Sequence, residues 1–258
     1  MSQCTTARLG FAAFVAAAMV AIMAVAGVRL GLLAYHDGWR MMFPAAGLGA
    51  AAFGLGLAWL VKALKANSRT GRRLGLTTLL GSLLLLYPPL STFFHRMTSP
   101  PIHDFTTDTE NPPRFNALLK LRGPGANSPS FDGQAPVTFE GKQVTLDEVL
   151  HDHYRDILKP HAGFAIGSKS PIATFYWRNF EAVKKTAWTV VETSETDARI
   201  EATTRSFWFG RTSDIVIQVR RAGAGARTDM RIQSRDDAID DGFNAAVAKG
   251  YFKLLAAR

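Results

Sequence analysis

Three charge-free apolar stretches at the start of the chain constrain its fold more than any other feature. They are residues 9–28, 41–61 and 74–94. A helix needs about 20 apolar residues to cross roughly 30 Å of bilayer hydrocarbon, so each stretch is long enough to span a membrane. We therefore predict three transmembrane helices. Pro88 and Pro89 predict a break or kink near the end of the third.

Charge is distributed unevenly along the chain. Residues 1–95 carry eight Lys/Arg and one acidic residue, whereas residues 96–258 carry 22 Lys/Arg and 20 Asp/Glu. Because the excess of positive charge lies in short clusters beside the apolar stretches, we do not expect nucleic acid to be a partner. We assign residues 1–95 as a transmembrane region and residues 96–258 as a separate domain.

The short loops predict how the helices are oriented. The N-terminal tail holds Arg8, and the loop before the second stretch holds only Arg29 and Arg40. The loop before the third stretch holds five basic residues: Lys62, Lys65, Arg69, Arg72 and Arg73. Basic loops stay in the cytoplasm, so we expect a cytoplasmic N-terminus and a chain that is extracytoplasmic after about Arg96.

The first stretch has a second interpretation as a cleaved signal peptide. Arg8 precedes it, and the small residues of 24–26 resemble a cleavage site. The outer domain stays on the same side in either case. Cys4 is the only cysteine and lies ahead of the apolar run, so we expect neither a disulfide nor a thiolate metal site in the outer domain.

The outer domain begins with a long connection and continues with regular elements. Frequent Pro and Gly in residues 96–165 predict irregular structure, containing a hairpin of Val137 to Phe139 with Lys142 to Thr145 and a helix from Leu146 to Asp156. Apolar spacing then predicts a helix over 171–187. Four strands follow: Trp188 to Thr193, Ile200 to Phe209, Asp214 to Arg221 and Thr228 to Arg235.

A last amphipathic helix is predicted from Asp241 to Ala257, with Asp240 as its N-cap. Consecutive strands with short turns predict an antiparallel sheet of about four strands, flanked by helices. Alternation places Ile215, Ile217 and Val219 on one face of the sheet. The predicted fold class is therefore three transmembrane helices followed by an α+β domain.

Two motifs in the outer domain resemble a known family. Residues 102–113 read IHDFTTDTENPP, and Ser234-Arg235 precedes Asp240, Gly242 and Asn244. These resemble the opening and closing signatures of the bacterial family called domain of unknown function 1499, over roughly residues 97–256. A subgroup of that family carries membrane helices ahead of the domain. The resemblance implies a single fold and a location but no reaction, because the function of the family is not known.

The two motifs together supply a candidate polar site: His103, Asp104, Thr107, Asp108, Ser234, Arg235, Asp240 and Asn244. An imidazole beside carboxylates is suited to acid–base work, and an arginine can hold a ligand carboxylate or phosphate. The alternative is structural: turn and cap residues at the entry to the domain, with Arg235 bound to Asp240 or Asp108.

A second candidate is a basic surface on the sheet, beside the aromatic run of residues 207–209. Its members are Arg205, Arg220, Arg221 and Arg231. Such a surface suits anionic lipid headgroups or an acidic partner, and the alternative is an ordinary solvated face.

Metal and cofactor sites are not expected. His151, His153 and His161 lack a further ligand at a convincing spacing for zinc, and no nucleotide, haem or serine-hydrolase motif occurs. The leading hypothesis is an uncharacterised multi-pass inner-membrane protein of the bacterial envelope whose periplasmic domain binds a partner protein or a lipid-like ligand. One form of this hypothesis makes the protein an accessory subunit of a membrane complex. The alternative is an envelope hydrolase that uses His103, Asp104, Asp108 and Arg235.

Overall fold

The computed structural model describes the chain in two compact units. The described residues are 2–67, 69, 71–158, 161–163 (backbone only), 170–236 and 239–257. The first unit consists of Met1–Met97 with Phe207–Gly210, and the second of Thr98–Ser206 with Arg211–Arg258.

Three long helices form the first unit: α1 (Gln3–Arg29), α2 (Tyr35–Lys65) and α3 (Arg72–Thr98). All three are long and apolar enough to cross a membrane, as predicted. Helix α3 runs through Pro88 and Pro89 to Thr98, so the proline pair does not end it. A membrane helix can continue through proline when neighbouring helices, side chains or water satisfy the carbonyls that proline leaves without a donor.

Small residues bring the three helices close together. The backbone of Leu79 approaches Gly56 so closely that a Cβ at Gly56 would lie 3.3 Å from the Leu79 nitrogen. The ring of Trp59 fills the space over Gly75, where an added Cβ would lie 2.2 Å from it. Close backbone approach through glycine and alanine is the usual way in which helices pack within lipid.

The segment Phe207–Gly210 packs with the helices of the first unit. Phe209 is buried, and its ring centroid lies 5.5 Å from that of Tyr35 in an edge-to-face contact. Arg29 donates hydrogen bonds to the backbone carbonyls of Phe207 and Trp208, the latter at 3.0 Å from Nε. The aromatic run that the sequence placed beside the basic surface thus belongs to the helical unit.

The second unit is an α+β domain, as predicted. Its strands are β1 (Asp104–Thr106), β2 (Pro136–Phe139), β3 (Lys142–Thr145), β4 (His161–Gly163), β5 (Thr189–Ser194), β6 (Arg199–Arg205), β7 (Thr212–Ala222) and β8 (Gly225–Ser234). Its helices are α4 (Leu146–His153), α5 (Arg155–Leu158), α6 (Pro171–Val183) and α7 (Phe243–Ala256). A short 3-10 helix occupies Ala117–Leu121.

The sheet is antiparallel with the order β1-β8-β7-β6-β5, and β4 also pairs with β8. The predicted four-strand meander corresponds to β5–β8. Strands β1 and β4 are additions that the sequence analysis missed, because three residues are too few to show an alternating pattern. Strand β6 ends at Arg205, four residues earlier than predicted.

One face of the sheet carries the hydrophobic core. Ile215, Ile217 and Val219 lie on this face and pack with residues of α4, α6 and α7, as the alternation predicts. Phe105 of β1 is fully buried there, with its ring centroid 5.6 Å from that of Tyr154. The motif that resembles the family opening is therefore anchored in the core.

The opposite face is also covered, by the irregular residues 107–131, which we call the covering segment. Glu201 of β6 is fully buried and accepts hydrogen bonds from the amides of Asn116 and Leu118, at 2.9 Å to each. The side chain of Asn116 does not cap the 3-10 helix, so the carboxylate of Glu201 binds these amides at its start. The covering segment is thus fixed to the sheet through a buried charge.

Candidate functional site

The covered face of the sheet is lined by charged and polar side chains, which we call the charged layer. Its buried members are Asp104, Glu201, Asp214, Asp229, Arg231 and Gln233. Ionised groups are rarely buried without a partner of opposite charge. The arrangement of these pairs therefore decides what the face can do.

Asp104 and Arg231 form the central pair. Arg231 Nε and Nη2 lie 3.0 and 2.6 Å from the two carboxylate oxygens of Asp104, and the side chains are almost completely buried. Gln233 donates to the same carboxylate at 2.9 Å and to the carbonyl of Ser128 at 2.8 Å. The pair therefore joins β1 to β8, and Gln233 joins both to the covering segment.

Two aromatic rings from the covering segment flank the guanidinium of Arg231. Its Cζ lies 4.8 Å from the ring centroid of Phe115 and 5.6 Å from that of Phe131. A cation over the faces of aromatic rings is stabilised by their quadrupoles, more strongly where water is excluded. Arg231 is therefore held rigidly, with Nη1 outside its pair with Asp104.

A cleft of about 690 Å³ opens above Arg231. Its walls come from residues 109–115 and 129–134, with Asp147 of α4 at one side. Arg114 and Glu110 are exposed residues of this lining. The cleft is as large as typical small-molecule sites.

Asp147 lies against Gly133 in the wall of the cleft. A Cβ at Gly133 would meet both carboxylate oxygens of Asp147, so any larger residue there requires the Asp147 side chain to move. The Asp147 amide donates to the Gly133 carbonyl at 2.9 Å. Oδ1 of Asp147 is buried and has no hydrogen-bond partner within the described part of the chain. This oxygen is an acceptor that a bound ligand with a donor group would satisfy.

Asp108 is the centre of a second charged cluster. It accepts hydrogen bonds from Arg220 at 3.0 Å and from Arg227. Both arginines also bind Asp229, at 3.3 and 3.1 Å. Burial raises the pKa of Asp229, and the two arginines oppose that shift. Asp108 therefore fixes the chain after β1 to the sheet.

Asp214 is the centre of a third cluster and binds two arginines. Arg235 Nη2 and Arg122 Nε lie 2.5 and 2.8 Å from its carboxylate oxygens. Burial lowers the pKa of Arg122, and Asp214 opposes this effect. The structural alternative offered Asp240 or Asp108 as the partner of Arg235, whereas Arg235, which directly follows β8, binds Asp214 of the adjacent strand β7.

Other members of the predicted polar site make separate contacts. Asn244 contacts the hydroxyl of Ser213 at 2.8 Å and that of Ser234 at 3.4 Å, and it donates to the His103 carbonyl at 3.0 Å. Thr107 is hydrogen bonded to the backbone of Met230. The two motifs do meet in space, through β1 and β8, but their side chains point into different clusters.

Asp240 stabilises the start of α7 rather than acting as its formal N-cap, which is Gly242. Its carboxylate accepts from the amides of Gly242 at 2.8 Å and Asn244 at 3.2 Å. Burial raises the pKa of Asp240 to about 7, although these two amides and Arg211 oppose the shift. Burial and the charge of Asp240 also raise the pKa of Tyr154.

The four arginines of the predicted basic surface do not form one surface. Arg205 and Arg221 are exposed, whereas Arg220 is partly buried in the Asp108 cluster. Arg231 is only 1% exposed. The placement of Arg231 on an exposed surface is wrong, because the covering segment lies over the face from which it projects.

The described residues hold no group of three or more side chains suited to a metal ion. His151 lies 3.1 Å from the hydroxyl of Thr109, and the ring of His153 contacts Phe139 and Tyr154. The side chain of His161 lies outside the described residues.

The match to a family profile covers most of the second unit. A family described as proteins of unknown function, DUF1499, matches residues 104–255, more than half of the chain. The chain belongs to the DUF1499 family. No curated protein matches it. In this DUF1499 domain the opening motif supplies Asp104 and Asp108, and the closing motif supplies Arg235 and the start of α7.

The cleft itself was missed by the sequence analysis. Phe115, Phe131 and Arg114 lie in an irregular segment without periodicity, so nothing local indicates that they line a site. The one available signal was the mixture of aromatic and polar residues in a long connection, since long loops in compact domains are often functional.

We predict that Asp240 makes the stability of the DUF1499 domain depend on pH. A carboxyl with a raised pKa binds its proton more tightly in the folded chain than in the unfolded chain. Its contribution to the free energy of unfolding is therefore complete below pH 3.8 and is lost as pH rises through about 7. Denaturant unfolding followed by tryptophan fluorescence should show wild type losing stability over this range relative to Asp240→Asn.

The exposed Asp152 provides the control, and Asp152→Asn should follow the wild-type profile. A constant difference between wild type and Asp240→Asn from pH 4 to pH 8 would show that Asp240 does not titrate in this way.

Proposed function

We propose that the DUF1499 domain of this protein is a ligand-binding module and that the cleft above Arg231 is its binding site. The observation that carries the proposal is the cleft of about 690 Å³, with a rigid, buried guanidinium between two aromatic rings at its floor. Clefts that combine aromatic walls with a few fixed polar groups are the usual form of small-molecule sites. The sequence analysis expected a lipid-like ligand, whereas the polar and charged lining of this cleft favours a polar one.

The lining defines the chemistry of the ligand. Asp104 neutralises most of the charge of Arg231, so Arg231 serves mainly to orient a bound group through hydrogen bonds. The exposed Arg114 supplies the net positive charge that attracts an anionic group. Asp147 and Glu110 offer carboxylate acceptors on the same cleft. The ligand that fits is therefore a small polar molecule with one anionic group and at least one hydrogen-bond donor.

The hydrolase alternative is supported by no observation. It requires His103, Asp104, Asp108 and Arg235 to converge on one reacting centre. Instead, Asp104 binds Arg231, Asp108 binds Arg220 and Arg227, and Arg235 binds Asp214. Carboxylates held by arginines in this way are poor general bases, because proton uptake would break the ion pairs.

The location belongs to the proposal as well. With the N-terminus in the cytoplasm, the three helices of a bacterial inner-membrane protein place the DUF1499 domain in the periplasm. There the module would serve the cell envelope, alone or as the accessory subunit of a membrane complex.

Cysteine labelling tests this orientation, because Cys4 is the only cysteine. In intact spheroplasts a membrane-impermeant maleimide should leave Cys4 unlabelled until the membrane is permeabilised. A Cys4→Ser, Lys249→Cys variant, whose new thiol lies at an exposed position of α7, should label at once. Immediate labelling of Cys4 together with protection at position 249 would show that the protein has the opposite orientation.

Native mass spectrometry of the full-length protein, gently extracted from its own membrane, tests the binding site. Wild type should carry a small added mass, and Arg114→Glu should lose it. Charge reversal at the cleft repels an anionic ligand and should lower the binding affinity more than tenfold. Arg221→Glu makes the same charge change at an exposed site outside the cleft and should retain the mass.

Two outcomes would contradict the cleft as the binding site. One is an added mass that survives Arg114→Glu as well as it survives Arg221→Glu. The other is a stoichiometric protein subunit in place of a small molecule, which would favour the partner-protein hypothesis.

A further inference from the structure

A second cavity lies in the helical unit, apart from the cleft. It is an apolar groove of about 490 Å³ between α1 and α3, and Met42 of α2 contributes to its wall. The lining has one charged side chain, Arg29, among the described residues of the groove. It shares no residue with the cleft, so occupation of the groove is independent of the proposed function.

The groove has an inner and an outer end. Phe14 and Gly81 lie at the inner end, where the Phe14 ring occupies the space over Gly81 and an added Cβ would lie 2.6 Å from the ring. Arg29, the last residue of α1, and Trp208 lie at the outer end. Arg29 follows Phe14 by fifteen positions of the helix, about 22 Å along the axis. One leaflet is about 15 Å deep, so the groove is long enough for a lipid chain.

The outer end has the chemistry of a membrane interface. Arg29 is exposed and donates through Nε and Nη2 to the carbonyls of Trp208 and Phe207, which fixes the guanidinium and leaves Nη1 outside these contacts. Arginine at this level attracts lipid phosphate, and tryptophan favours the headgroup region.

Helix α3 adds backbone acceptors deeper in the groove, three and four residues after Gly81. Pro88 and Pro89 have no N–H, so the carbonyls of Leu84 and Leu85 lack their donor four residues ahead. Both leucines line the groove.

We infer that this groove holds one acyl chain of a membrane phospholipid whose phosphate binds Arg29. The apolar wall excludes a polar solute, and the single cation at the interface end selects an anionic headgroup over an uncharged one. Phe14 limits the depth to which the chain enters.

Native mass spectrometry of the full-length protein in detergent micelles tests this inference, with dioleoyl phosphatidylglycerol as the probe. Wild type should retain one phosphatidylglycerol, and dioleoylglycerol, which has the same chains without the phosphate, should bind about tenfold more weakly. Arg29→Gln should reduce the affinity for phosphatidylglycerol about tenfold by the same loss of a charged hydrogen bond.

Matched controls separate the groove from general effects of lipid. Arg40 is exposed on the same loop side but is not part of the groove, so Arg40→Gln should bind like wild type. Ala18→Phe fills the groove and should abolish retention, whereas Ala12→Phe, at an exposed position of α1 outside it, should not.

The inference is overturned if Arg29→Gln and Arg40→Gln bind phosphatidylglycerol equally, or if dioleoylglycerol binds as well as phosphatidylglycerol. It is also overturned if Ala18→Phe retains the lipid as Ala12→Phe does. Loss of the ligand from the cleft in Arg114→Glu has no bearing on any of these results.

Discussion

Burial of charge on the second face of the sheet is the constraint on which the rest of the domain depends. Asp104 and Arg231 are less exposed than many core residues, and each would be strongly destabilising alone. Their bidentate pairing requires β1 to lie beside β8 and the covering segment to exclude water from both. The family opening motif is therefore a structural device: it supplies the carboxylate for an arginine 127 residues later.

The same constraint shapes the candidate function. The two carboxylates that the hydrolase alternative requires, Asp104 and Asp108, are each bound by arginine in the structure. What the charged layer provides instead is rigidity: it holds Arg231 at the floor of a cleft whose walls come from an irregular segment. A rigid floor with exposed polar groups at the rim is suited to recognition. Binding, rather than acid–base catalysis, is the chemistry that this arrangement favours.

The sequence predicted the helices and strands better than it predicted which of their faces are buried. Hydropathy identified α1–α3, and alternation separated Ile215 and Ile217 from Asp214 on opposite faces of β7, because both signals are local. Alternation does not tell whether a polar face meets water, so Arg231 was placed on a surface when it is buried. The cover is the irregular segment around Phe115 and Phe131, and its position is set by contacts with strands far along the chain.

A double-mutant cycle between Asp104 and Arg231 tests this account most directly. Asp104→Asn and Arg231→Met, alone and together, would be compared by denaturant unfolding of the full-length protein. The account predicts about 3–5 kcal/mol of destabilisation for each single change. It predicts a double variant much less destabilised than their sum, with a coupling of about 2 kcal/mol or more. Effects that add within about 0.5 kcal/mol would contradict the claim that this buried pair holds the domain together.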